Sequence, residues 1–224
     1  KGAANTIVLR NAEIKPRAFP LESGTALAGE RCGCETPRQP LVRGGGYRSG
    51  GHDMATTQAQ NDRLTQIGPG TFMGNLLRRY WQPIGVTLEL DENPVKRVRI
   101  FGEDLTLYRD RSGRYGLIGP RCLHRGVSLD RGVPDACGLR CCYHGWVYDA
   151  TGQCIEQPFE DTVSPEAHYK DRIKIAGYPV QELGGLLWGY LGPLPAPLLP
   201  RWDLLVEPDL DREVVVYPVP CNWL

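Results

Sequence analysis

Hydrophobic and polar positions divide the chain into an aperiodic start, a short helical segment and a long β-rich segment. Residues 1–53 show no sustained periodicity and include the glycine-rich run "RGGGYRSGG". Such weakly apolar sequence buries too little surface to offset its ordering entropy, so we expect disorder or an upstream extension there. Cys32 and Cys34 lie in this part and are interpreted as an incidental pair, with a metal-ligand pair as the less favoured alternative. Periodic sequence begins at Met54, which we interpret as the natural start of the protein.

Residues 54–80 are predicted to form a helical lead-in. A short helix is expected around 56–66, and the glycine-proline-glycine turn that follows it precedes Thr71, which can cap a second helix. Four apolar side chains recur at helical spacing in that second helix, and we expect them to pack as a core stripe. They are Phe72, Leu76, Leu77 and Tyr80.

After the lead-in, hydrophobic residues alternate with polar ones at the period of two that is typical of strands. In "VKRVRIFG", Val98 and Ile100 alternate with arginines, and "EDLTLYRD" continues the alternation. "WVYDATGQC" is interpreted as a hairpin that turns at Thr151 and Gly152. Further strands are predicted in "YGLIG", "IKIAGYPV", "LLWGYLG" and "REVVVYPVP". The pattern therefore predicts a mainly β domain over residues 81–192.

Composition narrows the class of protein. Lys and Arg number 26, as do Asp and Glu, so no overall charge favours nucleic acid or an anionic membrane. No apolar run approaches the roughly 18 residues that cross a bilayer. Eight cysteines are too few for a disulfide scaffold, and no secretory signal is visible, so we expect a cytoplasmic protein with reduced cysteines. Clustered cysteines are then candidate metal ligands.

Two short pairs of cysteine and histidine form the candidate metal site. Cys122 and His124 form C-x-H, and Cys141 and His144 form C-x-x-H, with 16 residues between the pairs. Two such pairs on separate loops can converge on one metal centre. A glycine close behind each histidine permits the tight loop conformation that this convergence needs.

Three interpretations of these pairs compete. Scattered core cysteines and surface histidines are disfavoured, because two spaced pairs lie within one β-rich segment. A structural zinc site can use two cysteines and two histidines, but zinc fingers usually keep like residues together. A Rieske [2Fe–2S] cluster takes two cysteines on one iron and two histidines on the other, so one mixed pair from each loop fits. Spacing alone favours the Rieske cluster over zinc.

The residues around the pairs carry a resemblance to a known family. "CLHRGVSLDRG" and "GLRCCYHGWVYDATG" resemble the cluster loops of Rieske non-haem iron oxygenases, in the branch of phthalate 4,5-dioxygenase. The resemblance runs from about Asn61 to the last residue. It implies that the four residues of the two pairs bind the cluster and that short helices precede a Rieske domain. It also implies that the histidines lie at an exposed tip.

The sequence departs from the family pattern in the cluster loops. Leu123 stands where proline is usual, without loss of a ligand. Cys142 follows Cys141, and the spacing to the histidine selects Cys141 as the ligand; we expect Cys142 to be a small buried hydrophobe. Val127 and Tyr143 occupy the positions of the disulfide cysteines of respiratory Rieske proteins. The resemblance is therefore to the oxygenase and ferredoxin type, and a potential toward the low end of the Rieske range is expected.

Other conspicuous residues near the pairs are given less specific roles. Trp146 is interpreted either as an apolar cover beside the second loop or as an ordinary core tryptophan. Arg125 is either a partner for a neighbouring acid or a solvated arginine. His168 and His52 are interpreted as surface histidines.

The resemblance implies the function of an electron-transfer module. In the family, the cluster passes electrons to a mononuclear non-haem Fe(II) in a helix-grip domain, which hydroxylates or demethylates aromatic or similar compounds with O₂ and NAD(P)H-derived electrons. Residues 193–224 are interpreted as a connector and the first strand of that domain, which is otherwise absent, so we expect no catalytic residues and no oxygenase activity in the fragment. A flavin or iron–sulfur reductase as electron donor and a homotrimer of the full-length protein are implied as partners. The alternative function is a stand-alone Rieske ferredoxin, disfavoured by the long continuation after "LLWGYLG".

Overall fold

The computed structural model describes residues 4–11, 56–208 and 212–219. Helices in this part of the chain are short. The α-helices are α1 (Gln58–Thr65), α2 (Phe72–Leu77), α3 (Thr87–Glu92), α4 (Glu160–Val163) and α5 (Asp203–Val206). Single turns of 3₁₀ helix lie at Leu129–Arg131, Pro165–Ala167 and Tyr169–Arg172. With this helix content, strands dominate the architecture.

The strands form small sheets in which every neighbouring pair is antiparallel. They are β1 (Ala4–Asn11), β2 (Gln82–Val86), β3 (Val95–Ile100), β4 (Glu103–Arg109), β5 (Tyr115–Ile118), β6 (Val133–Asp135), β7 (Gly138–Arg140), β8 (Val147–Tyr148), β9 (Cys154–Glu156), β10 (Gly177–Tyr178), β11 (Val180–Leu183), β12 (Leu186–Gly189) and β13 (Arg212–Val219). The sheet orders are β10-β5-β4-β3, β11-β12-β2, β6-β7-β8-β9 and β1-β13. The predicted mainly β fold of small antiparallel sheets with short preceding helices is confirmed.

The helical lead-in confirms the predicted cap at Thr71 but not the predicted core stripe. Thr71 caps α2, because its Oγ1 accepts a hydrogen bond of 3.1 Å from the backbone N–H of Gly74. The expectation that the apolar side chains of α2 form a core stripe is wrong for Phe72, Leu76 and Tyr80, which are exposed. The helix ends at Leu77 after six residues, and it turns Met73 rather than the predicted face toward the protein.

Two elements after the lead-in were not anticipated. The strand β2 contains a proline and a glycine, which weaken any strand pattern, yet it pairs with β12. The segment "TLELDE" alternates like a strand but forms α3. Its first turn is fixed by Glu89, whose carboxylate accepts a hydrogen bond of 3.1 Å from the backbone N–H of Val86.

A strand also lies within the range 1–53, for which disorder or an upstream extension is expected. Residues Ala4–Asn11 pair along their whole length with Arg212–Val219. The rest of that range, including Cys32, Cys34 and His52, lies outside the described residues, and so does Met54.

The hydrophobic core closest to the candidate metal site connects two sheets, β10-β5-β4-β3 and β6-β7-β8-β9. Its fully buried members include Tyr108 of β4, Ile118 of β5 and Leu139 of β7. Cys122 and Cys141 belong to the same cluster, so the candidate site is built directly on the core. Within the described part of the chain, no helix is long and apolar enough to cross a lipid bilayer.

Candidate metal centre

The first candidate loop follows β5 and is closed by backbone hydrogen bonds around Cys122. The N–H of Cys122 donates to the carbonyl of Val127 at 2.9 Å, and the N–H of Gly126 donates back to the carbonyl of Cys122 at 2.8 Å. An isolated bridge pairs Arg121 with Ser128 at the base of the loop. Gly126 has a φ of 68°, in the left-handed region that favours glycine.

The second loop joins β7 to β8 and repeats this bonding at the same sequence offsets. The N–H of Cys141 donates to the carbonyl of Trp146 at 2.8 Å, and the N–H of Gly145 donates to the carbonyl of Cys141 at 3.1 Å. Arg140 pairs with Val147 at the base, and Gly145 has a φ of 77°. The two loops therefore share one backbone frame, although their histidines stand at different distances from the cysteines.

The structure brings the four predicted site residues to one place. Cys122 and Cys141 are buried at 2% and 4% exposure and belong to the same core cluster. His124 and His144 are half-buried, and their ring centroids lie 4.4 Å apart. Sulfur donors thus lie on the inner side and imidazole nitrogens on the outer side of the same centre.

This donor set suits a two-iron cluster better than one ion. In the described part of the chain, no three side chains from His, Cys, Asp and Glu are grouped to hold a single metal ion. A tetrahedral zinc site needs all four donors around one point. A [2Fe–2S] cluster needs only two donors at each of two irons, with paired thiolates and paired imidazoles. The observed pairing of like donors therefore fits the cluster.

Burial shifts the pKa of two of the candidate ligands, Cys122 and His144. Loss of hydration raises the pKa of the Cys122 thiol above its ordinary value, which favours the neutral thiol. For His144, desolvation lowers the pKa, and the neighbouring His124 and Arg125 lower it further. The imidazole of His144 is therefore held in the neutral form, which is the form that ligates metals.

Tyr148 contacts the first loop and was not identified from the sequence. Its hydroxyl lies 3.4 Å from Sγ of Cys122 and accepts a hydrogen bond of 3.1 Å from the backbone N–H of Leu123. Since the hydroxyl oxygen is engaged as an acceptor, its proton is free to point at the sulfur. Burial raises the pKa of Tyr148, which keeps this proton in place.

An aromatic side chain packs on each of the two histidines. The indole of Trp146 stacks on His124 with centroids 4.8 Å apart and planes within 8°. Trp146 is also a buried member of the core, so both interpretations of this residue apply. Tyr143 packs on His144 with centroids 3.7 Å apart and is 58% exposed.

Three further expectations, for Cys142, His168 and Arg125, have outcomes in the structure. The expectation that Cys142 is a buried hydrophobe is wrong, because this cysteine is exposed. The tight turn directs Cys141 inward, so its neighbour points to solvent. The expectation of a surface His168 is confirmed, because its side chain is 69% exposed. Arg125 is exposed as well, in agreement with a solvated arginine.

A third segment, after β9, borders the second loop. The ring of Pro158 lies 3.2 Å from the position that a Cβ on Gly145 would occupy. The next helix, α4, begins at Glu160, whose charge acts on His144. This contact could not be predicted from the sequence, because the segment carries no pair of ligand-type residues and its approach to the loop depends on the folded sheet.

Comparison with known proteins identifies a matching family model and relatives of this chain. A family model described as a Rieske [2Fe-2S] domain matches residues 80–178. The oxygenase subunit of 5,5'-dehydrodivanillate O-demethylase from a Sphingobium species is 54% identical over 165 residues, which are 74% of this chain and 39% of that protein. The oxygenase subunit of phthalate 4,5-dioxygenase from Pseudomonas putida is 35% identical over 173 residues, 75% of this chain and 38% of that protein.

The chain spans about two fifths of the length of these relatives. Among solved structures, NdmA from Pseudomonas putida CBB5 is 30% identical, with 51% of this chain and 35% of that chain covered and a TM-score of 0.45.

Proposed function

Since the chain belongs to the Rieske [2Fe–2S] proteins and is related to oxygenase subunits over their Rieske part, we propose that its two loops bind a [2Fe–2S] cluster that carries electrons for an oxygenase. The proposed ligands are Cys122, His124, Cys141 and His144. The observation that carries the proposal is the pairing of like donors on two loops of identical backbone frame. When bound, the cluster supplies a one-electron carrier.

The residues of the chain give this carrier an inner and an outer side. The buried thiols of Cys122 and Cys141 would hold one iron on the side of the core and keep water from the sulfur ligands. The half-buried imidazoles of His124 and His144 would hold the other iron closer to the surface. Electrons therefore have their shortest path to solvent on the histidine side.

We place this module within a longer oxygenase. The relatives are named as oxygenase subunits, which favours this function over a stand-alone ferredoxin. In the proposed whole protein, a mononuclear Fe(II) outside this chain receives the electrons, a flavin or iron–sulfur reductase supplies them, and the subunits form a homotrimer. The names of the relatives suggest an aromatic substrate. His168, the one histidine after the second loop, is exposed and far from the candidate ligands in sequence, so the fragment is proposed to be inactive as an oxygenase.

The first test is to purify the chain and determine its metal and its spectra. We expect a brown protein with about two irons and two sulfides per chain. It should bleach with dithionite and then give a rhombic Rieske-type EPR signal. A protein that binds zinc, and that acquires no such spectrum after anaerobic reconstitution with iron and sulfide, would contradict the proposal.

A second expected result concerns Tyr148. Reduction adds negative charge to the cluster, so a hydroxyl proton directed at Sγ of Cys122 stabilises the reduced state more than the oxidised state. Tyr148→Phe should therefore lower the midpoint potential, by about 40 mV if the hydrogen bond contributes about 1 kcal/mol for one electron. Protein-film voltammetry measures this shift.

The matched control for this substitution is Tyr108→Phe. The hydroxyl of Tyr108 is equally buried but donates to the backbone carbonyl of Tyr148 at 3.4 Å, not to a sulfur. Its removal should leave the potential nearly unchanged. Equal shifts in the two variants would show that the hydroxyl of Tyr148 does not act on Cys122.

A further inference from the structure

Each of the two loops is spanned by its own arginine side chain, in addition to its backbone hydrogen bonds. We call this contact the arginine bridge of the loop. Arg121 directly precedes the first loop cysteine, and its Nη1 donates to the carbonyl of Gly126 at 2.8 Å. Arg140 directly precedes the second loop cysteine, and its Nη1 donates to the carbonyl of Gly145 at 2.9 Å. In both loops the glycine stands four residues after the cysteine, so the bridge is repeated at the same offset.

Each bridge satisfies the carbonyl that the loop itself leaves free. The backbone bonds of the loops use the N–H groups of the cysteine and the glycine and the carbonyls of the cysteine and the residue after the glycine. The glycine carbonyl takes no part in these backbone bonds. The arginine stands one residue before the cysteine, at the base of the loop, and its guanidinium binds the glycine carbonyl near the tip. The side chain therefore spans the loop from base to tip.

The two bridges differ in how firmly they are anchored. Nε of Arg140 donates to Asp135 of β6 at 2.6 Å, and its two Nη atoms donate to both carboxylate oxygens of Glu156 of β9 at 2.9 and 2.7 Å. Paired, charge-assisted bonds of this kind are strong and fix the plane of the guanidinium. Arg121 is exposed, and no ion pair to it is found among residues 56–208.

We propose that Arg140 is a positioning residue that locks the second loop onto the sheet, and that Arg121 is its weaker counterpart on the first loop. The inference rests on the proposed function, since the locked loop is the one that presents Cys141 and His144. Arg140 joins three separate pieces of chain: the strand β6, the strand β9 and the tip of the loop. The loop conformation is thereby tied to the sheet β6-β7-β8-β9 rather than to its own turn alone.

Loss of Arg140 would act on the loop in two ways. The carbonyl of Gly145 would lose its charged donor, and Asp135 and Glu156 would lose the cation between them. The loop would then open more often, which exposes the Cys141 sulfur to solvent and to chelators. Groups that orient metal ligands from outside typically contribute 10–100-fold to metal affinity, which sets the scale of the effect.

The experiment follows iron release from the holoprotein to a ferrous chelator under reducing conditions. Arg140→Gln should release iron about tenfold faster than the unaltered chain. Arg121→Gln should show a smaller increase, because that bridge is not anchored. Arg99→Gln serves as the control, because Arg99 forms an exposed ion pair with Asp104 on another sheet, at 3.2 Å. Its release rate should be unchanged.

A second variant separates charge from bridging. Arg140→Lys keeps a cation near Asp135 and Glu156 but cannot reach both carboxylates and the Gly145 carbonyl with one ammonium group. It should fold as the unaltered chain does and still release iron faster. Its midpoint potential and EPR g values should also shift, which a purely structural role in the sheet would not cause.

Amide hydrogen exchange of the metal-free protein tests the same inference without the cluster. The N–H of Gly145, which is bonded to the carbonyl of Cys141, should exchange about tenfold faster in Arg140→Lys, whereas the N–H of Gly126 should not change. Unchanged exchange at Gly145, or iron release no faster than in Arg99→Gln, would overturn the inference. The two proposals can fail separately. If the unaltered chain binds no cluster, but Arg140→Lys still accelerates exchange at Gly145, the proposed function is overturned and the positioning role of Arg140 stands.

Discussion

Cys141→Ser is expected to abolish the visible absorption and the EPR signal of the cluster, and Cys142→Ser is expected to preserve both. Cys141 is 4% exposed and lies beside Cys122, whereas Cys142 is exposed to solvent. A thiolate binds iron, but a serine hydroxyl has a far higher pKa and rarely replaces it. The adjacent thiol cannot take over, because the closed backbone of the loop directs it away from the centre.

The two variants form a matched pair, since each replaces one of two neighbouring sulfurs by oxygen. Iron and sulfide content should fall to near zero in Cys141→Ser and remain at the unaltered level in Cys142→Ser. Circular dichroism of both proteins checks that the sheets are intact. If Cys142→Ser were the variant that loses iron, the assignment of the second-loop ligand would have to be reversed.

Gly138→Ala is expected to destabilise the fold by about 3 kcal/mol, or to prevent folding. A Cβ at this position would lie 2.2 Å from the carbonyl oxygen and 2.9 Å from the carbonyl carbon of Tyr148. Gly138 is in β7, and the next residue pairs with Tyr148 of β8, so both contacts are with the backbone of a paired strand. Relief would require the two strands to separate at the base of the second loop.

Urea denaturation of the metal-free protein measures this effect without a contribution from the cluster. Gly68→Ala is the control, because nothing lies within 4 Å of its added Cβ and its φ is not positive. We expect the control to change the free energy of unfolding by less than about 0.5 kcal/mol. Equal unfolding midpoints for the two variants would contradict the close approach of β7 to β8.

The candidate ligands could be predicted from the sequence because they are local. Cys122 stands two residues from His124, and Cys141 stands three from His144, so short spacings alone bring each pair onto one loop. Whether the two loops converge depends on the sheets between them, and the sequence indicated this only through its resemblance to a family. The ligand assignment itself stays a prediction until the chain is shown to bind iron.

The residues that surround the ligands could not be predicted in the same way. Tyr148 reaches Cys122 across 26 positions, and Arg140 reaches Glu156 across 16, through register that only the folded sheets define. The core stripe expected for α2 was wrong although its pattern is local. Helical spacing shows which side chains share a face of the helix, but not whether that face packs against the rest of the protein. In α3, the capping carboxylate of Glu89 overrode an alternation typical of a strand.

The aromatic partners of the two histidines make the proposed centre directional. Behind His124 lies Trp146, a ring sealed within the core, while beside His144 lies Tyr143, a ring open to solvent. Tyr143 therefore offers an exposed aromatic surface beside His144, whereas the aromatic ring beside His124 is buried. With the proposed ligands, electrons would therefore enter and leave through His144, whereas His124 is shielded from solvent by Trp146.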